Sequence, residues 1–442
     1  MACSIDVQPA ARSPNLAPEV DAFVLAPHLV IMNSPSSQMI FDLCIVGAGP
    51  VGSTLALVAA REGLSVALVD ARDPAAPKPR DGRNFAIVEG GWNLLSAAGI
   101  AQELDQSTEF LNGLEATDDA RHWFGAPTTL FTGDDLGGDD GKPLGRMVEA
   151  ETLQAALDAA VSQSLGIELI APATFTTAQY VDGRIDALLA GGRLVKARLL
   201  VGCDGLNSAV RHWARIGVEG RSYGKSVFAA NVALSQPHGG IARQLFTPEG
   251  PFATLPLRGD RANLAWYMKS GAAEALAARP VEEIEVELNA RFARFAGDMQ
   301  IDGKHISYPL KLQIARSMAA DRVALVGDAA RRINPLAGQG LNLGLKDVAA
   351  LCEVCADQVK VGLDPGSSWA LERYSRWRHF DANATALAMD AVDRIYSNDN
   401  ALLKPLRGAA LIAADRIGPL REMLARQASA SQDHLPRLMK GI

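Results

Sequence analysis

Five residues near the start of the chain have the types and spacing of a dinucleotide-binding turn. They match the pattern G-x-G-x-x-G, and they are Gly47, Gly49, Pro50, Val51 and Gly52. The first glycine of this pattern permits a tight bend, the second lets the backbone approach a pyrophosphate, and the third lets a helix pack closely on a strand. Asp70 follows 18 residues after the last glycine, where an acid can accept hydrogen bonds from an adenosine ribose. The turn predicts a dinucleotide site and leaves open whether the ligand is FAD or NAD.

Two later segments also end a short apolar run with an acid next to a glycine. Asp204 and Gly205 follow L-L-V-G-C, and Asp328 follows V-A-L-V-G. An acid in this position can accept hydrogen bonds from ribose or ribityl hydroxyl groups. The second segment continues through Pro335 and Gly338 into a predicted helix, whose first N–H groups suit an anionic or electron-rich ring edge. Three turns of this kind in one chain indicate an extended dinucleotide.

The first of these turns stands in a predicted order of strand, glycine turn, helix and strand, which is the context that a dinucleotide-binding turn requires. Asp42–Val46, Ser65–Val69 and Arg322–Val326 are short apolar runs, as expected of strands that are buried on both faces. Val51–Arg61 has helix-forming composition, and Leu341–Val359 is predicted as a long helix with an apolar face.

The middle of the chain predicts a second, β-rich region. Its short apolar runs are separated by Gly, Pro and Asp, and they are Phe228–Leu234, Ala242–Phe246, Phe252–Leu257 and Ala262–Tyr267. A sheet domain inserted between the halves of the nucleotide fold is the simplest arrangement. The predicted parts are a disordered leader 1–40, a discontinuous nucleotide domain 41–115, 147–212 and 315–390, a β-rich substrate domain 116–146 and 213–314, and a helical C-terminal region 391–442.

Composition argues against several other classes of protein. The 442 residues carry a formal charge of −7, which is not typical of a general nucleic-acid binder. Five cysteines without a secretory signal predict a reducing compartment, and no apolar run reaches the roughly 18 residues of a membrane-spanning helix. The histidines show no zinc-site spacing, and Cys352 and Cys355 are expected to be buried thiols of a helix rather than a redox pair. We therefore expect a cytoplasmic protein without a metal site.

The three turns together resemble those of the single-component FAD-dependent aromatic hydroxylases related to p-hydroxybenzoate hydroxylase. The run P-L-A-G-Q-G-L-N-L-G-L-K-D over residues 335–347 closely resembles the ubiquinone-biosynthesis hydroxylases within that group. Asp81-Gly82-Arg83 resembles the D-x-R segment of that family, and the similarity extends over about residues 40–442. The resemblance implies an α/β fold, in which a Rossmann-like FAD-binding domain carries an inserted β-sheet substrate domain and a helical C-terminal tail.

The resemblance also implies roles for the candidate residues. The glycine turn and Asp70 would hold the ADP half of FAD, and Arg83 would lie near the flavin and its phosphates. Asp204 and Gly205 would form a second fingerprint that contacts FAD and, transiently, NAD(P)H. Asp328 would bind the ribityl chain.

The start of the long helix is implied to bind the flavin ring itself. Its backbone N–H groups would face the pyrimidine edge, and the residues concerned are Gly338, Gln339, Gly340, Leu341 and Asn342. Pro335 would lie by the reactive face of the ring. Helix-start donors at Gly340, Leu341 and Asn342 would stabilise negative charge on the flavin during oxygen transfer. With Pro335 they are the catalytic candidates, since no side-chain nucleophile or metal is required.

The reaction implied by the resemblance is the hydroxylation of a phenolic ring. NAD(P)H would reduce FAD, molecular oxygen would give a flavin hydroperoxide, and the ring would attack the distal oxygen. A polyprenyl phenol of ubiquinone biosynthesis is the expected substrate. Two alternatives stay open, a hydroxylase of a soluble aromatic or polyketide substrate and a non-catalytic FAD-bound scaffold of a biosynthetic complex.

Three positions depart from the pattern of the family. Arg331 and Asn334 stand where members commonly have histidine, and Ala150 stands where a polar FAD contact is usual. Arg331 would add a fixed charge near the cofactor.

The C-terminal tail suggests contact with a membrane surface. Between residues 402 and 426 basic side chains alternate with Leu, Ile and Ala, and they are Lys404, Arg407, Arg416, Arg421 and Arg426. A basic amphipathic segment can rest on the anionic inner face of a membrane. The same pattern fits a packed C-terminal helix with a solvated basic face, which is slightly favoured.

Overall fold

Two large sheets and one small sheet organise the part of the chain that the computed structural model describes. The described residues are 39–76, 82–118, 128–132, 143–332, 339–379 and 435–441. The predictions for Asp81, Asn334, Pro335, Gly338, the leader up to residue 38 and the basic residues of the tail therefore lie outside the described residues.

The first sheet has eight strands, and its central strands are parallel. Its strands are β1 Phe41–Val46, β2 Val66–Val69, β8 Ile167–Ile170, β9 Phe175–Val181, β10 Arg184–Leu189, β11 Leu194–Gly202, β17 Ala319–Ala320 and β18 Val323–Leu325. The order is β17-β18-β11-β1-β2-β8, with the antiparallel strands β10 and β9 continuing from β11. Every residue of β2 is buried, as its continuous apolar sequence predicts.

Helices pack against the first sheet and share its hydrophobic core. They include α1 Pro50–Arg61, α2 Glu89–Ala97, α3 Ala101–Asp105, α4 Ala150–Gln163, α5 Ala209–Trp213 and α8 Gln339–Lys360. A further helix, α9, covers residues 368–379. The predicted apolar face of α8 is confirmed, because Leu341, Leu345, Val348 and Cys352 all belong to the core.

The second sheet also has eight strands and is antiparallel except for one pair. Its strands are β5 Gly113–Asp118, β6 Thr128–Thr132, β12 Val218–Leu234, β13 Ile241–Thr247, β14 Gly250–Leu257, β15 Arg261–Lys269, β16 Met299–Ala315 and β19 Arg331–Arg332. Helices α6 Ala272–Ala277 and α7 Val281–Ala296 cover one face, where Phe252 stacks on Phe292 with ring centroids 3.8 Å apart. The opposite face lines the cavity described below.

A third sheet of three antiparallel strands was not predicted. It consists of β3 Asn84–Val88, β7 Gly145–Glu149 and β4 Glu109–Leu111. Its strands come from three separate segments, so no local pattern in the sequence marks their pairing.

The predicted α/β class, with a parallel nucleotide-type sheet and a separate β-rich layer, is confirmed. The four β segments predicted in the middle of the chain all form strands, although β12 extends ten residues further toward the N-terminus than expected. Of the predicted helical tail, the described part contains the short helix α10 Arg437–Lys440. The predicted domain boundaries stay predictions.

Helices long and apolar enough to cross a membrane were sought in the described ranges, and none was found there.

Candidate functional site

The glycine turn joins β1 to α1 in the geometry that its sequence predicts. Gly47 has φ +105°, and a Cβ there would meet the backbone carbonyl of Cys203, the residue that follows β11. A Cβ on Gly52 would overlap the carbonyl oxygen of Gly47. Gly49 differs from both, because a Cβ there would meet nothing within 4 Å. The first and third glycines therefore serve packing, and the second opens onto free space beside the first turn of α1.

A cleft of about 300 Å³ lies in front of this turn. The predicted residues Gly49, Pro50, Asp70 and Arg83 line it, although they come from three separate elements of the fold. The remaining lining residues are Ala48, Arg72, Phe85, Ala150, Glu151 and Gln154.

The Asp70 carboxylate is held rigidly at the rim of the cleft. One oxygen accepts a hydrogen bond from the backbone N–H of Ala48 at 2.5 Å, and the other accepts one from the backbone N–H of Arg72 at 2.7 Å. Each carboxylate oxygen can accept a further bond. The acid is thus oriented before any ligand arrives.

Gln154 is a cleft residue that the sequence reasoning missed. It stands one helical turn after Ala150 on α4, and its Nε2 donates to the carbonyl of Ala48 at 3.0 Å and to Asp158 at 2.7 Å. A polar residue thus reaches the cleft from the same helix whose first position, Ala150, lacks a polar side chain. The spacing of four residues on one helix face was the available signal.

The end of β11 presents a second acid. Asp204 Oδ2 accepts hydrogen bonds from the backbone N–H groups of Ala209 at 2.6 Å and Val210 at 3.2 Å, at the start of α5. Its Oδ1 is buried and has no hydrogen-bond partner among the described residues. A buried acceptor without a donor is costly, so this atom suits a ligand hydroxyl or an ordered water.

The third acid follows β18. Asp328 lies in a 3₁₀ turn, Gly327–Ala329, and it is exposed. Surrounding protein atoms desolvate its carboxyl and raise its pKa, while the guanidinium groups of Arg332, Arg83 and Arg331 oppose that rise. A ligand hydroxyl here would replace part of the lost hydration.

The first turn of α8 contacts the strand β3. The Asn342 side chain, which is buried, accepts from the backbone N–H of Val88 at 3.1 Å and donates to the carbonyl of Ala86 at 2.7 Å. Leu341 points into the core, and a Cβ on Gly340 would meet nothing within 4 Å. The helix start is therefore anchored by a side chain, while its backbone at Gly340 borders open space.

The charge of Arg331 is compensated inside the protein. It is 3% exposed, and it donates to Asp347 on α8 at 2.8 Å and to the carbonyl of Leu343 at 3.0 Å. Asp347 also receives Arg378 of α9 at 2.7 Å and the backbone N–H of Gly327 at 3.1 Å. One buried carboxylate thus joins two guanidinium groups to the turn that carries Asp328.

A second cavity, of about 140 Å³, lies between the third sheet and the open face of the second sheet. Its lining is mainly apolar and includes Leu111, Leu114, Leu144, Met147 and Leu255. Polar lining side chains include Asn84, Gln244, Asn263 and Tyr308.

Strand β3 lies between the cleft and the second cavity and contributes side chains to both. Arg83, just before the strand, and Phe85 line the cleft in front of the glycine turn, whereas Asn84, Ala86 and Val88 line the second cavity. This alternation follows from the two-residue period of a strand.

The two cysteines of α8 line neither the cleft nor the cavity. Cys352 and Cys355 are buried in the core, and desolvation raises the pKa of both thiols, so both stay protonated. This agrees with the expectation of buried helix thiols.

Comparison with known proteins agrees with this geometry. A family model described as "FAD binding domain" matches residues 41–388. Ubiquinone hydroxylase UbiL of Rhodospirillum rubrum is 35% identical over 412 residues, which covers 92% of this chain and 94% of that protein. The 3-demethoxyubiquinol 3-hydroxylase of Escherichia coli is 32% identical over 391 residues, covering 88% of this chain and 98% of that protein.

Solved structures share the fold at lower sequence identity. The p-nitrophenol 4-monooxygenase PnpA of Pseudomonas putida superposes with a TM-score of 0.73 at 19% identity, and the match covers 90% of this chain and 99% of that chain.

Proposed function

The chain belongs to the FAD-binding-domain family of flavin-dependent monooxygenases, and from that premise we propose that it hydroxylates the ring of a polyprenyl phenol in ubiquinone biosynthesis. The observation that carries the proposal is that a cleft and an apolar cavity lie on the two faces of β3. One has the donors and acids that a dinucleotide requires, and the other is a mainly apolar space that fits an aromatic ring.

The residues present fit FAD. Gly49 leaves room where a pyrophosphate would lie, Asp70 is oriented for the adenosine ribose, and Arg83 offers a guanidinium to the phosphates. Asp204, beside Gly205, and Asp328 offer acceptors for hydroxyl groups further along the dinucleotide.

Bound FAD, reduced by NAD(P)H, supplies the oxygen chemistry, in which one atom of O₂ enters an aromatic C–H bond as a hydroxyl group and the other leaves as water. The chain's own part is to orient and shield the reactants. The N–H groups of the first turn of α8, at Gly340, Leu341 and Asn342, offer donors toward developing negative charge. The apolar lining of the second cavity keeps water from the ring.

The substrate class rests on the cavity and on the relatives. A cavity of about 140 Å³ has room for one substituted ring, so a long isoprenoid chain has to extend out of it. The two relatives described above are named as ubiquinone enzymes, and the match spans nearly their whole length. A single ring would also suit a soluble aromatic substrate, which the experiment below distinguishes.

We place the protein at the cytoplasmic face of the inner membrane as a peripheral protein. A polyprenyl phenol resides in the bilayer, and the basic residues between 402 and 426 would attract anionic lipids. Association with other enzymes of the pathway is part of the same proposal, because the product stays in the membrane.

The test is a comparison of quinone intermediates with and without this protein. A deletion strain is expected to lose ubiquinone and to accumulate a prenylated phenol that lacks one oxygen atom, and the wild-type gene is expected to restore both. Purified protein with FAD, NAD(P)H and labelled O₂ should place one labelled atom in the product. Normal quinone in the deletion strain, together with hydroxylation of soluble phenols only, would favour the soluble-substrate alternative. NAD(P)H oxidation that no phenol stimulates would favour the scaffold.

A further inference from the structure

Three asparagine side chains join the third sheet to the second sheet beside the 140 Å³ cavity. Nδ2 of Asn84, on β3, donates to Oδ1 of Asn231 on β12 at 2.7 Å. Nδ2 of Asn263, on β15, donates to the same oxygen at 3.0 Å. Asn84 and Asn263 line the cavity, and Asn231 is buried. The three amides, called the asparagine triad below, therefore form one connected group at the cavity wall.

Backbone carbonyls determine which way the amides of the asparagine triad point. Nδ2 of Asn84 also donates to the carbonyl of Gly82 at 3.0 Å. Nδ2 of Asn263 also donates to the carbonyl of Ala230 at 3.4 Å. A backbone carbonyl can only accept, so in both residues the amide nitrogen has to lie on that side. Asn231 then presents its oxygen, because both of its neighbours bring a donor.

This arrangement leaves one atom of the triad without a partner. Oδ1 of Asn84 is buried and has no hydrogen-bond donor among the described residues. The amide cannot turn over to relieve it, because both protons of Nδ2 are already used and a flip would set two oxygens against each other. A buried acceptor without a donor is costly, so this atom calls for a donor from a ligand or from an ordered water.

The position of Asn84 connects this acceptor with the candidate site. Asn84 directly follows Arg83, which lines the cleft in front of the glycine turn, so the acceptor lies on the strand between cleft and cavity. Much of the remaining cavity wall is aliphatic and offers no hydrogen bond, as at Leu111, Leu114 and Met147. A polar group of a bound ring would therefore gain most by lying against Asn84.

We propose that Oδ1 of Asn84 accepts a hydrogen bond from the ring hydroxyl of the substrate, and that the cavity thereby selects rings that carry a hydrogen-bond donor. This inference rests on the proposed function. An amide oxygen accepts from O–H or N–H groups and has no proton to give to a methoxy oxygen. A ring whose hydroxyl is methylated would leave the acceptor buried and unpaired, which is the strongest way in which a site rejects an analogue.

The experiment compares wild type with Asn84→Leu in the FAD-loaded full chain. The probes are three rings with the same short prenyl substituent, namely a phenol, its methyl ether and the corresponding aniline. Dissociation constants come from the change of flavin absorbance on binding. Wild type is expected to bind the phenol and the aniline about tenfold more tightly than the ether, because only the ether lacks a donor for the buried acceptor. In Asn84→Leu the ratio should fall close to one.

The control removes a polar group from another strand of the same cavity. Thr254 of β14 lines the cavity, and Thr254→Val keeps the shape of its side chain. This variant is expected to keep the tenfold ratio, because Asn84 is unchanged. Binding of the ether to each variant shows that its cavity is folded.

The outcomes separate this inference from the proposed function. If Asn84→Leu keeps the ratio, or if Thr254→Val alone loses it, while wild type hydroxylates the phenol, the inference is wrong and the proposed function stands. The same holds, without any variant, if wild type hydroxylates the phenol and binds the ether equally well. If wild type neither prefers nor hydroxylates the phenol, the proposed function fails and the inference fails with it.

Discussion

Among single residues, Asp347 shows most directly how a buried charge is compensated in this protein. Its carboxylate is fully buried between the guanidinium groups of Arg331 and Arg378. Breaking a buried ion pair from one side is costly because an uncompensated charge stays buried. The three residues belong to β19, α8 and α9, so this contact also joins three elements.

Asp347→Asn is expected to destabilise the protein much more than Arg331→Met. The first change removes the carboxylate that both cations share, at a cost of about 3–5 kcal/mol. The second leaves the Asp347–Arg378 pair in place and removes one buried cation whose Nε has no hydrogen-bond partner among the described residues. Urea unfolding of both variants measures the difference, and equal losses would contradict the compensation of charge.

For Asp328, by contrast, the nearby guanidinium groups do not fully offset desolvation, so the pKa of its carboxyl is raised. A carboxyl whose pKa is raised in the folded state does not oppose folding while it is protonated, below its ordinary pKa of about 4, and it opposes folding once it must ionise above its folded pKa. Asp328→Asn should therefore raise the melting temperature of the FAD-free protein near neutral pH, and the gain should vanish in acid. The same variant should bind FAD more weakly. A gain that is independent of pH would contradict this assignment.

At the scale of elements, the turn from β1 to α1 contains two glycines that are needed for packing and one that leaves room for a ligand. Gly47 and Gly52 lie where a Cβ would collide with backbone, and Gly49 lies where a Cβ would meet open space. Its φ of −70° is also accessible to any residue.

Gly49→Ala and Gly52→Ala are therefore expected to fail in different ways. Gly49→Ala should leave the melting temperature of the FAD-free protein unchanged and weaken FAD binding at least tenfold, since the new methyl group occupies the approach to the pyrophosphate. Gly52→Ala should lower that melting temperature, because helix and turn must move apart. Calorimetry and FAD titration of each variant provide the measurements. Unchanged FAD affinity in Gly49→Ala would show that the phosphates lie elsewhere.

For the whole molecule, the proposed dinucleotide site would connect distant parts of the chain. The turn near residue 49, Asp70, Arg83 and Gln154 line one cleft, and Asp204 and Asp328 follow neighbouring strands of the same sheet. A ligand that binds only the assembled site stabilises the folded state by mass action.

FAD at a hundredfold excess over its dissociation constant is expected to raise the free energy of unfolding by about 2.7 kcal/mol. NAD at the same concentration should give a much smaller rise, which answers the question that the glycine pattern leaves open. Thermal unfolding with each nucleotide is the measurement. A larger rise with NAD would contradict the assignment of the cleft to FAD.

The sequence by itself determined the parts whose signals are local. The glycine turn, the apolar strands β1, β2 and β18, and the helix α8 each follow from neighbouring residues, because backbone geometry and burial on both faces dictate residue types at short spacing. Gly49, Pro50 and Asp70, which line the cleft, were predicted from such local signals.

Only the tertiary structure decided the rest. It joined Arg331 to Asp347 and Arg378, tied Asn342 to β3, and placed Gln154 in the cleft and Tyr308 at the cavity. The contact between Asn342 and Ala86 connects residues that are 256 positions apart, and pairing at that distance depends on how whole layers pack. The sequence shows the charge of each side chain, whereas the fold determines which residue it pairs with.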